Sequence, residues 1–328
     1  GQVSRILLKF PTTEITNTLS NKVGANPFTA SLKLFLADAS NVPLDFSTEC
    51  YPVYGTWNMG TGKYLDLPNT TDGVGWTYRL QSGSGDWLTS GFPAYVTASF
   101  SAQNGGGNWY IGSATLNPEA TQSFTYVTPK DIEFNVSNAI QLFNSGSITN
   151  EGFLIKLEDS LEFTNSNYIS LKYFSMDTHT IYPPCLEIKW DDSTFNTGSS
   201  TQTLLDTAEA TVSLRNNKGE FQQDSVQRFR INSRPTYPTR TFTTSSDYLT
   251  NYYLPSSSLY QIKDVNTEEI IIDFDTNNTK ISADSTSNYF DLYMSGLEPE
   301  RYYKILVKAT LDGSTIVFDE DYIFKVVR

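Results

Sequence analysis

The stretch Ser31-Leu32-Lys33-Leu34-Phe35-Leu36 places leucine at every second position, and Ile132-Glu133-Phe134-Asn135-Val136 repeats that alternation further along the chain. A period of two sends alternate side chains to opposite faces of a pleated strand, so each run reads as a strand with one buried face. Phe153-Leu154-Ile155-Lys156-Leu157 and Leu186-Glu187-Ile188-Lys189-Trp190 read in the same way. Turn signals separate the runs: Asn26-Pro27, Asp72-Gly73, Ser82-Gly83-Ser84-Gly85 and Gly105-Gly106-Gly107, the last expected to be a flexible loop. One segment reads as a short helix, with Ser137 as N-cap, Ile140 and Phe143 on its apolar side and Gly146 as the stop. The expected fold class is all-β with one short helix.

A chain of 328 residues exceeds what one ordinary core needs. After Trp190 the sequence turns small and polar, Asp191-Asp192-Ser193-Thr194-Phe195-Asn196-Thr197-Gly198-Ser199-Ser200-Thr201, a composition that cannot bury a core. The expected organisation is a first β-sandwich over 1–193, a polar linker over 194–209 and a second β-sandwich over 210–328. Strand patterns recur in the second part at 210–214, 225–231, 270–274, 289–294, 302–309 and 322–327, the density of an immunoglobulin-like or fibronectin-like sandwich. Arg234-Pro235-Thr236-Tyr237-Pro238-Thr239-Arg240 reads as an extended connection or edge strand.

Aromatic residues make up 14% of the chain, a bias that favours strands. The net charge of −13 repels phosphate backbones, which argues against nucleic acid as a partner. No apolar run approaches the roughly 18 residues of a membrane span, and no signal peptide is legible at the N-terminus. The sequence enters a strand at Ile6 almost at once, and an N-terminal truncation of the first sandwich is expected.

Catalytic motifs are missing. His179 is the sole histidine, which rules out a multi-histidine zinc site within the chain and leaves a triad without its surrounding signatures. The cysteines are Cys50 and Cys185, expected to be free thiols. Neither a P-loop nor a dinucleotide fingerprint is present. Asp191-Asp192 and Asp319-Glu320-Asp321 offer oxygens to a structural Ca²⁺ but lack a spaced calcium loop, so they read first as solvated acidic turns, and no cofactor is expected. The chain therefore reads as a protein without enzymatic activity.

The candidate site residues are the aromatics of the glycine-rich stretch 55–110. Trp57, Trp76, Tyr78, Trp87 and Trp109, with Tyr64 and Tyr110 beside them, are expected on loops, where rings grip a sugar or another protein. The bland alternative is that they pack beneath the loops as small cores.

Residues 1–190 resemble the DNRLRE jelly-roll family, which is related to carbohydrate-binding modules. The resemblance runs through Ser4-Arg5-Ile6-Leu7-Leu8-Lys9-Phe10, Ala30-Ser31-Leu32-Lys33-Leu34-Phe35, Trp57-Asn58-Met59-Gly60-Thr61-Gly62, Gly75-Trp76, Asn150-Glu151-Gly152-Phe153-Leu154-Ile155, Lys172-Tyr173-Phe174-Ser175 and Pro184-Cys185-Leu186-Glu187-Ile188. The second part is similar to C-terminal regions of virion structural proteins of tailed marine bacteriophages, through Tyr260-Gln261-Ile262-Lys263-Asp264, Ile270-Ile271-Ile272-Asp273-Phe274-Asp275 and Asn288-Tyr289-Phe290-Asp291-Leu292-Tyr293-Met294. The resemblances imply a virion protein of neck, tail or head surface, partnered by other virion proteins in a homo-oligomer or symmetric assembly. The alternative they leave is an adhesin for a host surface glycan.

Overall fold

A computed structural model describes residues 3–62, 67, 72–80, 85–88, 91, 93–98, 105–111, 116, 118–163, 169–195, 202–238 and 250–328. Tyr64, the turn at 82–84, residues 196–201 of the polar break and residues 239–240 lie outside the described residues. The chain is all-β with a few short helices, and it divides into two units, Gly1–Lys189 and Trp190–Arg328.

In the first unit the elements are β1 (Ile6–Leu8), α1 (Thr12–Thr18), β2 (Phe28–Leu34), β3 (Leu36–Ser40), β4 (Phe46–Pro52), β5 (Tyr78–Leu80), β6 (Gly85–Asp86), β7 (Val96–Ala98) and β8 (Asn108–Tyr110). They continue with β9 (Ala120–Phe124), β10 (Ile132–Asn135), α2 (Ser137–Ser145), β11 (Phe153–Leu157), α3 (Asp159–Glu162), β12 (Ser170–Tyr173) and β13 (Cys185–Trp190). A four-stranded sheet runs in the order β1-β11-β4-β9, and a three-stranded sheet in the order β10-β2-β13. The alternation of the opening stretch is realised: Ala30, Leu32 and Leu34 are buried, and the antiparallel register sets Ile132 opposite Leu34 and Phe134 opposite Leu32. It breaks at Phe35, which separates β2 from β3 and packs its ring 5.4 Å from that of Tyr182.

β11 decides how the first unit is built. Its first four residues, Phe153, Leu154, Ile155 and Lys156, are all buried, so both faces of this strand are covered. Leu154, with Tyr51 and Val53, meets Trp87 and Trp109 from the glycine-rich stretch. That stretch is therefore a cover on the sheet, and burying Leu154 alone stabilises by roughly 1.5–3 kcal/mol. Lys156 on the same face is neutralised by Glu49 at 2.8 Å and Asp159 at 2.5 Å, with its ammonium 5.6 Å from the Tyr51 ring. Gly152, just before the strand, has φ +84°, and a Cβ there would sit 1.9 Å from the Leu8 carbonyl oxygen, so only glycine fits.

Two helical details differ from expectation. Ser137 is the first residue of α2 and does not cap it; its hydroxyl accepts from the Ala30 amide and donates to Asn135. The cap is remote: Glu119, adjoining β9, accepts from the Ala139 amide at 2.9 Å and from the Asn138 side chain at 3.1 Å. The Gly146 stop is as expected, in the left-handed conformation. A further helix, α1, continues into a π-helical turn over Leu19–Val23; its threonine-rich sequence has weak helix propensity, and burial of Ile15, Leu19 and Val23 holds it.

The second unit contains β14 (Thr203–Leu204), β15 (Ala210–Leu214), β16 (Glu220–Gln222), β17 (Val226–Pro235), β18 (Tyr252–Tyr253), β19 (Leu259–Asp264), β20 (Ile270–Ile272), β21 (Ser282–Ala283), β22 (Asn288–Tyr293), β23 (Tyr302–Leu311) and β24 (Ser314–Val327). One sheet is six-stranded, with β17 at its centre between β15, β18 and β22; the other is five-stranded, in the order β16-β24-β23-β19-β20. Both line one hydrophobic core, where the Phe229 ring lies 5.6 Å from Phe324 and the Tyr260 ring stacks 4.0 Å from Phe290.

The segment 194–209, expected as a free linker, contributes to this unit at several points. Phe195 bridges Ala283, β14 pairs with β18, and Leu205 is buried in the core. Asp191, just before it, is ion-paired with Lys280. Asp319-Glu320-Asp321 also departs from the expected turn: it forms a bulge inside β24, facing the single residue Leu306 of β23, with Asp321 at φ +53° and Lys304 bonded to Asp319 at 3.0 Å.

Candidate functional site

The five candidate aromatics occupy different environments. Trp87 and Trp109 are 2% and 5% exposed and form the cover on β4 and β11, with the Tyr51 ring 5.4 Å from Trp109. These two are therefore core residues, which is the reading in which the aromatics pack beneath the loops as small cores; the sheet surface beneath them supplies the apolar contact. Trp87 donates its indole N–H to the Gly75 carbonyl at 3.1 Å. Trp57 is half-buried at the rim of this cluster and donates to the Glu151 carbonyl at 2.8 Å. Tyr78, on β5, is exposed.

Trp76 is half-buried and belongs to an assembly built on Arg5. The Arg5 guanidinium lies 5.1 Å from the centre of the Trp76 ring and 5.2 Å from that of Trp109. It makes a bidentate pair with Glu162 at 2.6 and 2.7 Å and donates to the Gly106 carbonyl at 2.6 Å. The two side chains are 4% and 2% exposed. Gly105 and Gly106 are locked in place: the Gly106 amide donates to the Trp76 carbonyl at 2.6 Å, and a Cβ on Gly105 would fall 2.1 Å from that same oxygen. The glycine run is thus a close-packed strap that needs positive φ, in place of the flexible loop expected.

Beside Trp57 the first unit holds a pocket of about 380 Å³. Its walls are Tyr54, Arg79, Leu88 and Tyr110, and Asn108 and Glu151 reach it from the buried side. β8 brings Asn108 and Tyr110, and the Tyr54 ring meets Tyr110 edge-on at 5.4 Å while Tyr95 stacks on Tyr110 at 6.2 Å. Burial pushes the Tyr110 hydroxyl above its usual range, and that hydroxyl is hydrogen-bonded to Thr149. The Asn108 amide is fixed at both ends by the Leu88 backbone, at 2.8 Å each. Glu151 is neutralised by Lys9 at 2.7 Å and accepts from Thr56 at 2.9 Å.

Of the pocket residues only Tyr110 stood among the sequence candidates. The rest are spread from Tyr54 to Glu151, and no local spacing joins them; folding of the glycine-rich stretch onto the sheet brings them together.

Among the described residues no group of three or more His, Cys, Asp or Glu is placed to hold a metal ion. His179 ends a 3₁₀ turn, exposed and at φ +46°. Cys50 and Cys185 are free, and burial pushes both thiols up, Cys50 strongly, which holds them as thiols rather than reactive thiolates. No helix among the described residues is long and apolar enough to cross a membrane.

The architecture and the pocket define the class: an all-β protein of two units, whose first unit carries a small polar and aromatic cleft. Compared with known proteins, the chain matches no family model, and searches of curated proteins and solved structures give no significant match.

Proposed function

We propose that this chain is a non-catalytic structural component of a tailed-phage particle, at neck, tail or head surface, assembling with other virion proteins or further copies of itself. The reading takes its two units as a jelly roll and an immunoglobulin-like sandwich. The observation that carries the assembly role is the edge of the five-stranded sheet in the second unit. β20 ends that sheet with Ile270 and Ile271 both exposed, and an apolar edge strand is a template for pairing with another chain. The charged groups of both units favour the same reading. Arg5 with Glu162, Lys156 with Glu49, Arg228 with Asp291 and Arg230 with Asp284 pair with each other instead of converging on a reactive centre. Electron microscopy of the purified particle tests the proposal: density for both units at a symmetric position is the expected result, and particles lacking the chain by mass spectrometry refute it.

The second reading, an adhesin for a host surface glycan, is favoured by the pocket. Rigid apolar walls with a few fixed polar groups, at a volume within the usual range for ligand sites of about 300–1,000 Å³, suit a sugar. A glycan array probed with the folded protein tests it.

A further inference from the structure

We infer that the pocket beside Trp57 selects a sugar bearing a carboxylate, with Arg79 as the residue that reads the acid. The inference rests on the glycan-binding reading and adds the charge class of the ligand.

The argument turns on which charges in the pocket are already spent. Glu151 is held by the Lys9 ammonium on one oxygen and by the Thr56 hydroxyl on the other, so this carboxylate calls for nothing further. Asn108 is consumed by the Leu88 backbone. Arg79 stands differently. Its one described bond runs from Nη1 to the Thr56 carbonyl at 2.8 Å, and among the described residues no carboxylate is paired with it. Arg5, Arg228, Arg230 and Arg301 each have a carboxylate partner; Arg215 and Arg234, like Arg79, have none among the described residues, but Arg79 is the arginine that lines the pocket. An arginine that lines a cleft and has no carboxylate partner among the described residues supplies the charge that a ligand would complete.

The bond to Thr56 also holds the guanidinium in place, and its remaining N–H groups make no further bond among the described residues. A planar guanidinium binds a carboxylate through two parallel charge-assisted hydrogen bonds, each roughly twice as strong as a neutral one. In the same lining, half-buried Tyr54 and exposed Leu88 offer an apolar surface for the C–H face of a sugar ring. A ring with hydroxyls and one carboxylate matches the lining; a neutral ring leaves Arg79 uncompensated.

Methyl β-glucuronide and methyl β-glucoside, which differ at C6 in carboxylate against hydroxymethyl, are the probes. Binding to the full chain is followed by ligand-observed NMR at millimolar sugar, beside thermal melts of each variant. The expected result is at least about tenfold tighter binding of the glucuronide, a preference that Arg79→Met removes at unchanged melting temperature and Arg79→Lys partly keeps. Equal binding of the two sugars, or a glucuronide preference that survives in Arg79→Met, overturns the inference while leaving the glycan reading in place. Binding of neither probe, with no signal from any acidic or neutral glycan on an array, overturns both.

Discussion

Replacing Arg5 by methionine should cost the first unit most of its stability. The substitution removes a bidentate ion pair to Glu162, a bond to the Gly106 carbonyl and two cation–ring contacts, with both charged side chains nearly inaccessible to water. What remains is a buried carboxylate with its counter-charge gone, and breaking such a pair costs about 3–5 kcal/mol. Each lost ring contact adds on the order of 0.5–1 kcal/mol, partly offset by the methionine side chain filling the space. With a urea m-value of roughly 2 kcal/mol per molar, a loss of about 4 kcal/mol lowers the unfolding midpoint by roughly 2 M. Tryptophan fluorescence reports mainly on the first unit, since Trp57, Trp76, Trp87 and Trp109 lie there and Trp190 alone falls in the second. The double variant Arg5→Met/Glu162→Leu should recover most of the loss, because an apolar pair of similar volume carries no desolvation cost. A single variant losing less than about 1 kcal/mol, or a double variant losing the sum of the two singles, refutes the assignment of this pair as the anchor of the glycine-rich cover.

Three further outcomes follow from the same geometry. Gly152→Ala should destabilise the first unit by about 3 kcal/mol or more, read as a urea midpoint, because the added methyl meets the Leu8 carbonyl at a positive φ. Glu119 is raised above the ordinary carboxylate range by burial, so its charged form costs the folded state more as pH rises past the unfolded value of about 4.3. Glu119→Gln, whose amide oxygen still accepts from Ala139, should gain in melting temperature relative to wild type between pH 4 and pH 7, and a flat or opposite trend would show that the capping hydrogen bonds, which lower the carboxyl, match or outweigh its burial. Asp284 has the opposite sign: its hydrogen bonds with Arg230 lead in lowering it to about 2, so its contribution is present above the unfolded value of about 3.9 and disappears as pH falls through 2. The stability advantage of wild type over Asp284→Asn should shrink across that acid window, and an unchanged difference would show that the pair contributes nothing.

The alternation at Leu32 and Leu34, and at Ile132 and Phe134, was enough to read the all-β class, because a period of two is a local property of a strand. Gly146 was legible for the same reason. What the sequence hid depends on partners far along the chain. Glu119 caps a helix from the turn just before β9, and Ser137, with the right chemistry beside the right position, bonds elsewhere. Trp87 and Trp109 carry no local mark of burial; only the sheet face offered by Tyr51 and Leu154 makes them core. Arg79, inside the glycine-rich stretch, and Glu151, far beyond it in the chain, reach one cleft, so their joint role is invisible to any window of sequence.

The pairing of Arg5 with Glu162 spans 157 residues, and the aromatic cover closes on Leu154, which follows it in the chain. During synthesis, therefore, the tryptophan-rich stretch emerges before the strand surface that shelters it. Until β11 is made, Trp87 and Trp109 have only the Tyr51 and Val53 part of that surface to lie on, and this is the interval in which an apolar nascent segment is most prone to associate with its neighbours. Slow synthesis or crowded polysomes should penalise this protein through yield before any defect appears in the finished fold.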